Sequence, residues 1–154
     1  QLSIPPGEAK HIMENYFERF GGVKRYLDDV VEQARKDGYT ATLFGRRRYL
    51  PELTSDNRVA RENAERAALN APIQGTAADI IKVAMLRVDR KLKEINAKSR
   101  MLLQVHDELV LEVVPEELEQ VRAIVETEMD SAITLNVPLE VSAGLGKNWE
   151  EAAH

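Results

Sequence analysis

Apolar positions recur along this chain in two rhythms, one of about 3.6 residues and one of two, and together they predict an α+β protein. After Pro5-Pro6-Gly7, the positions Ala9, Ile12, Met13, Tyr16, Phe17 and Phe20 repeat at helical spacing up to Gly21-Gly22. A second stripe of Val23, Tyr26, Leu27, Val30, Val31 and Ala34 stops at Gly38, and the two read as an antiparallel helical hairpin with its aromatic residues in the core. Tyr39–Phe44 has the composition of a strand, Gly45 permits a turn, and Arg46-Arg47-Arg48-Tyr49-Leu50 returns toward Pro51. From Asp56 or Asn57, either of which suits an N-cap, a helix with Ala60, Ala64, Ala67 and Ala68 on a slim apolar face runs to about Leu69. Pro72 predicts a break or kink, because proline lacks the helical N–H and its ring clashes with the preceding turn. Helical periodicity then resumes through Ala77, Ile80, Ile81, Ala84, Val88, Leu92 and Ile95.

Met101–Val113 changes the rhythm. Two short strands meet at His106-Asp107-Glu108, which predicts a tight antiparallel hairpin. Pro115 opens a further helix with Glu116, Glu117 and Glu119 in its first turn, where the helix dipole favours acids, and a stripe of Leu118, Val121, Val125 and Met129. A last strand, Leu139–Ala143, is expected to lead through Gly144 and Gly146 to Trp149.

At 154 residues and 44% hydrophobic content, the chain is long enough for one ordinary core. The absence of cysteine excludes disulfides and thiolate metal sites, and leaves a reducing compartment such as the cytoplasm unopposed. No apolar run approaches the ~20 residues that cross a bilayer, so no membrane partner is expected. The chain begins at Gln1, which suggests a piece of a longer polypeptide. A net charge of −5 argues against nucleic acid, but its distribution does not. Residues 35–106 hold 15 Lys+Arg against 8 Asp+Glu, and residues 107–154 hold 2 against 12. A basic middle can engage a polyanion while the whole remains acidic.

Three polar groups stand out. Asp107 and Glu108 sit side by side at a hairpin tip, with His106 next to them; their repulsion would be relieved by a cation, and magnesium is the expected one. Arg66, Asn70 and Gln74 are spaced by four and share a face if the helix is unbroken. Arg46, Arg47 and Arg48 at the tip of the first hairpin read equally as a solvated, aggregation-resistant edge or as phosphate contacts. Arg58 and Arg61 are possible phosphate contacts too, although a solvated helix face is the leading reading for them.

Gln104-Val-His-Asp-Glu-Leu-Val-Leu-Glu112 resembles the motif C hairpin of the family A DNA polymerases, the bacterial DNA polymerase I group. Thr42-Leu-Phe-Gly-Arg-Arg-Arg-Tyr-Leu-Pro-Glu52, Ala64-Glu-Arg-Ala-Ala-Leu-Asn-Ala-Pro-Ile-Gln-Gly-Thr-Ala-Ala-Asp-Ile-Ile81 and Gly146-Lys-Asn-Trp149 resemble the same group in the same order. The resemblance implies the last part of the fingers (residues 1–53) followed by an incomplete palm (residues 54–154). The palm would be an antiparallel sheet whose motif C hairpin packs against long helices. It further implies template-directed DNA synthesis on a bacterial nucleoid, with primer-template DNA and a deoxynucleoside triphosphate as partners. Asp107, supported by Glu108, would ligate two Mg²⁺ ions, and Arg66, Asn70, Gln74 and His106 would meet the minor groove near the primer terminus.

The family pattern also needs an aspartate on a separate strand (motif A) and a fingers helix carrying arginine and lysine (motif B). Asp79 and Asp89 lie in helical sequence and do not replace the first. The thumb, the rest of the fingers and the motif A strand are therefore expected partners from the remainder of the polymerase, and the chain alone is expected to incorporate no nucleotide. The alternatives are a non-catalytic nucleic-acid-binding module of palm-like shape, which would bind primed duplex without Mg²⁺ dependence, and a metal-dependent nuclease using the same acidic pair.

Overall fold

A computed structural model describes residues 4–152. Its elements run α1 (Pro6–Arg19), α2 (Gly21–Asp37), β1 (Tyr39–Ala41), β2 (Arg47–Tyr49), α3 (Arg58–Glu94), β3 (Arg100–Val105), β4 (Glu108–Glu112), α4 (Leu118–Asp130) and α5 (Trp149–Ala152). Short 3₁₀ turns at Pro51–Thr54 and Pro115–Glu117 lead into α3 and α4. Among the described residues the strands form two antiparallel pairs, β1 with β2 and β3 with β4. The mixed helix-and-hairpin composition expected from the sequence is present. The chain packs as two compact units, one up to Gly75 and one from Thr76 onward, with the boundary inside α3.

The first unit is built on a small core of Ala34, Leu50, Leu53, Ala64 and Ala68, with Val31 and Ala67 against it. Alanine on both helices lets them approach closely, and a bond of 2.5 Å from Arg35 to Glu65 ties α2 to α3 at the rim. Gly38 ends α2 in the left-handed region at φ 77°, where a side chain would be strained, and its N–H closes on Ala34. The carbonyl of Gly38 then accepts from Leu50 N–H, so the turn out of α2 begins the β1–β2 ladder.

Three expectations are corrected in this unit. Phe20 alone separates α1 from α2, shorter than the two to five residues that an antiparallel helical hairpin needs, so the junction is an elbow. Of the aromatics expected in the core, Tyr16 on α1 is 49% and Phe20 at its C-cap 47% exposed, and they pack on one another with ring centroids 5.0 Å apart, while Phe17 is half-buried. Helical spacing reports a shared face, and here no described element of the chain covers it. Finally, of the break or kink expected at Pro72, the break is absent: α3 is continuous from Arg58 to Glu94. A mid-helix proline costs about 3 kcal/mol, but Pro72 is itself buried, and the turns around it are fixed by buried Ala68 and Thr76. Asn57, rather than Asp56, is the N-cap: its Oδ1 accepts from Val59 N at 2.9 Å and Ala60 N at 3.2 Å.

The second unit holds the other core, Val88, Leu92 and Val121, with Leu109, Leu111, Val113, Val125 and Ala97 packed on it. Alternation along β4 sends Leu109 and Leu111 toward that core and turns Glu108 and Glu112 the other way, where Glu112 meets Arg100 at 2.7 Å. A polar knot fastens the root of this hairpin. The Glu117 carboxylate accepts from Lys98 N, Ser99 N and Ser99 Oγ at 3.0, 2.9 and 2.6 Å, and Ser99 Oγ accepts from Val114 N at 3.0 Å. The expected last strand is absent: Leu139–Ala143 has no assigned strand, because composition gives β propensity but no hydrogen-bonded neighbour.

The knot makes a pH prediction. The backbone N–H of Lys98, then the Ser99 hydroxyl and N–H, hold the Glu117 carboxyl below the ordinary glutamate value of 4.5. A carboxyl depressed on folding stabilises the fold above its unfolded pKa, and that contribution is lost as pH falls through the lower folded value. The Glu117→Gln variant should therefore unfold more readily than the parent at neutral pH. The gap should close as denaturation is measured at progressively lower pH below 4.5.

Candidate functional site

The β3–β4 hairpin turns through His106 and Asp107, with Val105 opposite Glu108 as the first rung. A two-residue connection requires a left-handed residue, and His106 supplies it at φ 54°, an uncommon conformation for a side chain other than glycine or asparagine. Gln104 secures it by donating from its amide nitrogen to the His106 carbonyl at 2.5 Å. His106, Asp107 and Glu108 are all exposed, so the turn presents an imidazole and two carboxylates to solvent. Asp107 does not point into an apolar interior.

Among the described residues no three His, Cys, Asp or Glu side chains come together as a cation site. The donors present still suit magnesium as a partial set, since that ion takes one or two protein carboxylates and completes its octahedron with water and phosphate oxygens.

On α3, Arg66, Asn70 and Gln74 are exposed, and the helix is unbroken through Pro72, so the spacing of four puts them in one row. Arg66 donates to Asn63 within the same face. The row offers guanidinium and amide groups along two turns of helix, and the shared face left conditional by the proline is present.

The arginine-rich hairpin sorts its three guanidinium groups. Only Arg46 lies in the turn, where Thr42 N–H donates to Arg46 O at 3.0 Å, and Arg46 N–H donates to Thr42 Oγ1 at 3.2 Å. Arg47 and Arg48 are strand residues opposite Ala41 and Thr40, which corrects the expectation of three arginines at the tip. Arg47 lies over the Tyr39 ring, 4.4 Å from its centroid, and its guanidinium is held above its usual pKa, first by a hydrogen bond with Tyr49 and then by the charge of Tyr39. Arg46 donates to the Gly75 carbonyl at 3.0 Å. Arg48, on the same strand face as Thr40, is exposed and makes no such contact. Thr40, Thr42, the three arginines, Ala71, Gln74 and Gly75 line one cavity of about 190 Å³. The Thr40 hydroxyl is buried beside it without a hydrogen-bond partner, which is unusual for a buried polar atom. Arg58 and Arg61 are engaged elsewhere, Arg58 with Glu62 at 2.7 Å and Arg61 with the Ser55 carbonyl at 2.8 Å.

Sequence reasoning missed Thr40, Gln104 and Gly75. The signal for Gly75 was legible, since a glycine inside a helical pattern points to a close approach. Thr40 and Gln104 carry no pattern of their own.

The chain belongs to one protein class, DNA polymerase family A, whose family model matches residues 1–151. The relatives are more particular. The DNA polymerase I of Mycobacterium leprae (strain TN) is 67% identical over 154 residues, covering 100% of this chain and 17% of that protein. The DNA polymerase I of Bacillus caldotenax is 50% identical over 151 residues, covering 98% and 17%. Among solved structures, the POL domain of Pol1 from M. smegmatis in complex with DNA primer-template and dNTP aligns with a TM-score of 0.97 at 62% identity, over 100% of this chain and 27% of that one. The chain thus spans 17% of the length of these curated relatives. No described helix is long and apolar enough to cross a membrane.

Proposed function

We propose that this chain is the C-terminal part of the polymerase module of a longer bacterial DNA polymerase I, with the end of the fingers in residues 1–53 and most of the palm in residues 54–154. Its reaction is nucleotidyl transfer from a deoxynucleoside triphosphate to a primer 3′-hydroxyl, directed by a template. The observation that carries this reading is the exposed Asp107 on a two-residue turn whose strands are anchored in a core, in a chain of this family.

Asp107, with Glu108 next to it, offers carboxylate oxygens to Mg²⁺, and the remaining protein ligand comes from a strand outside this chain. Bound magnesium supplies Lewis acidity at the primer hydroxyl and charge balance at the triphosphate. Gln104 and the packed strands hold the backbone turn that carries Asp107, which a mobile loop would not. Arg66, Asn70, Gln74 and His106 donate to the minor-groove acceptors, adenine N3, thymine O2 and their equivalents, which occupy similar places in every correct pair. Donors of this kind test pair geometry without reading sequence. Phosphate contact falls first to Arg48, whose guanidinium is uncommitted beside the orphaned Thr40 hydroxyl, and secondarily to Arg46 and Arg47. Arg58 and Arg61 are engaged by Glu62 and the Ser55 carbonyl, which favours a structural role for them over phosphate contact.

Primer extension tests the reading. The longer polymerase should extend a primed template with Mg²⁺ and not without it, and the isolated 154 residues should not extend it. Extension by the isolated chain would refute the incomplete metal site. Salt-dependent duplex binding with no extension by the longer protein would favour the non-catalytic module.

A further inference from the structure

We propose that Arg46 is a positioning residue, which registers the β1–β2 arm on α3 and thereby sets Gln74 for its contact with the primer-terminal base pair. This rests on the reading of Gln74 as a minor-groove donor. Two observations fix the arm at the residue after Gln74. The Arg46 guanidinium donates to the Gly75 carbonyl at 3.0 Å. A Cβ on Gly75 would also lie 2.7 Å from Thr42 Cγ2 and 3.3 Å from Arg46 Nη2, so the arm seats on a surface that only glycine leaves open. Thr42 and Arg46 are joined through the Arg46 backbone, whose N–H donates to Thr42 Oγ1 and whose carbonyl accepts from Thr42 N–H, so the two residues that meet Gly75 share one turn.

The consequence falls on Gln74 because it shares the 190 Å³ cavity with Arg46, Arg47 and Arg48. Its amide reaches out from a helix turn whose next carbonyl is held by a charged donor, and a bond of that kind is among the stronger ones a side chain makes. Releasing the clamp frees the arm from the turn that bears Gln74, and a donor displaced by an ångström no longer tests the pair. The effect of Arg46 on Gln74 runs through Gly75 and is separate from the secondary phosphate contact proposed for it.

The test uses the longer polymerase and single-turnover extension from matched and 3′-mismatched primer termini, with thermal unfolding measured alongside. Gln74→Ala and Arg46→Ala should each slow matched extension by about tenfold, the value of one charged-donor hydrogen bond, and both should reduce the preference for matched over mismatched termini. The double variant should be no slower than Gln74→Ala alone, because the two act through one contact. Gly75→Ala should reproduce the Arg46→Ala defect by pushing the arm away. Adding Thr42→Ser, which deletes Cγ2 and keeps the hydroxyl, should restore matched extension, a rescue that general destabilisation would not give. Additive losses in the double variant, or equal losses on matched and mismatched termini, would overturn the proposal. If Gln74→Ala slows extension and Arg46→Ala does not, the clamp alone is wrong. If Gln74→Ala is silent, the minor-groove reading falls and the clamp's role with it.

Discussion

Replacing Asp107 by alanine in the polymerase that contains this chain should lower the rate of nucleotide incorporation by about a thousandfold or more, with primer-template affinity changed by no more than about threefold. The asymmetry follows from where the residue sits. Asp107 is exposed at the two-residue turn between β3 and β4, so its removal leaves no cavity and no orphaned buried group. On the proposed reading, duplex affinity would rest mainly on cationic and amide donors, which the substitution does not touch. What is lost, on the same reading, is a carboxylate that would hold cationic charge during phosphoryl transfer. Asp107→Asn, which keeps the shape and removes the charge, should be as slow as the alanine variant. Rapid single-turnover mixing and equilibrium binding of a labelled primer-template separate the two effects.

The second large effect is on stability. Leu92→Ala should destabilise the fold by about 2–5 kcal/mol, the usual range for a buried leucine truncated in a core that relaxes only partly. Leu92 is 6% exposed and packs with Val88 and Val121, the latter two being the largest fully buried side chains among the described residues. Leu109, Leu111 and Val113 lean on this cluster, so the cavity opens directly behind the strand that leaves the Asp107 turn. Incorporation should therefore fall with temperature earlier than in the parent, while the rate at low temperature stays close to it. Chemical denaturation read by circular dichroism gives the first number, and a temperature series of extension rates gives the second.

Most of what places the candidate site was legible in the letters. The change from helical to alternating rhythm at Met101 located the carboxylate hairpin, and the four-residue spacing of Arg66, Asn70 and Gln74 located the donor row. Both signals are local and periodic, and backbone geometry converts them directly into shared faces. Pro72 misled as to a break, because its intrinsic cost was legible and its burial inside a continuous helix was not. The α1 aromatics misled in the opposite sense: periodicity gave Tyr16 and Phe20 a common face, but no described element covers that face. Leu139–Ala143 reads as a strand by composition, yet a strand exists only when another chain segment accepts its hydrogen bonds. The Arg46–Gly75 bond joins residues 29 apart, and no local pattern announces such a pairing.

The most direct test is a crystal of the longer polymerase with primer-template, a non-hydrolysable deoxynucleoside triphosphate analogue and Mn²⁺ in place of Mg²⁺. An anomalous peak about 2.1 Å from an Asp107 carboxylate oxygen, with the amides of Asn70 and Gln74 against the minor groove at the primer end, is the outcome expected here. A fully occupied metal site with no oxygen from Asp107 in its shell would contradict it.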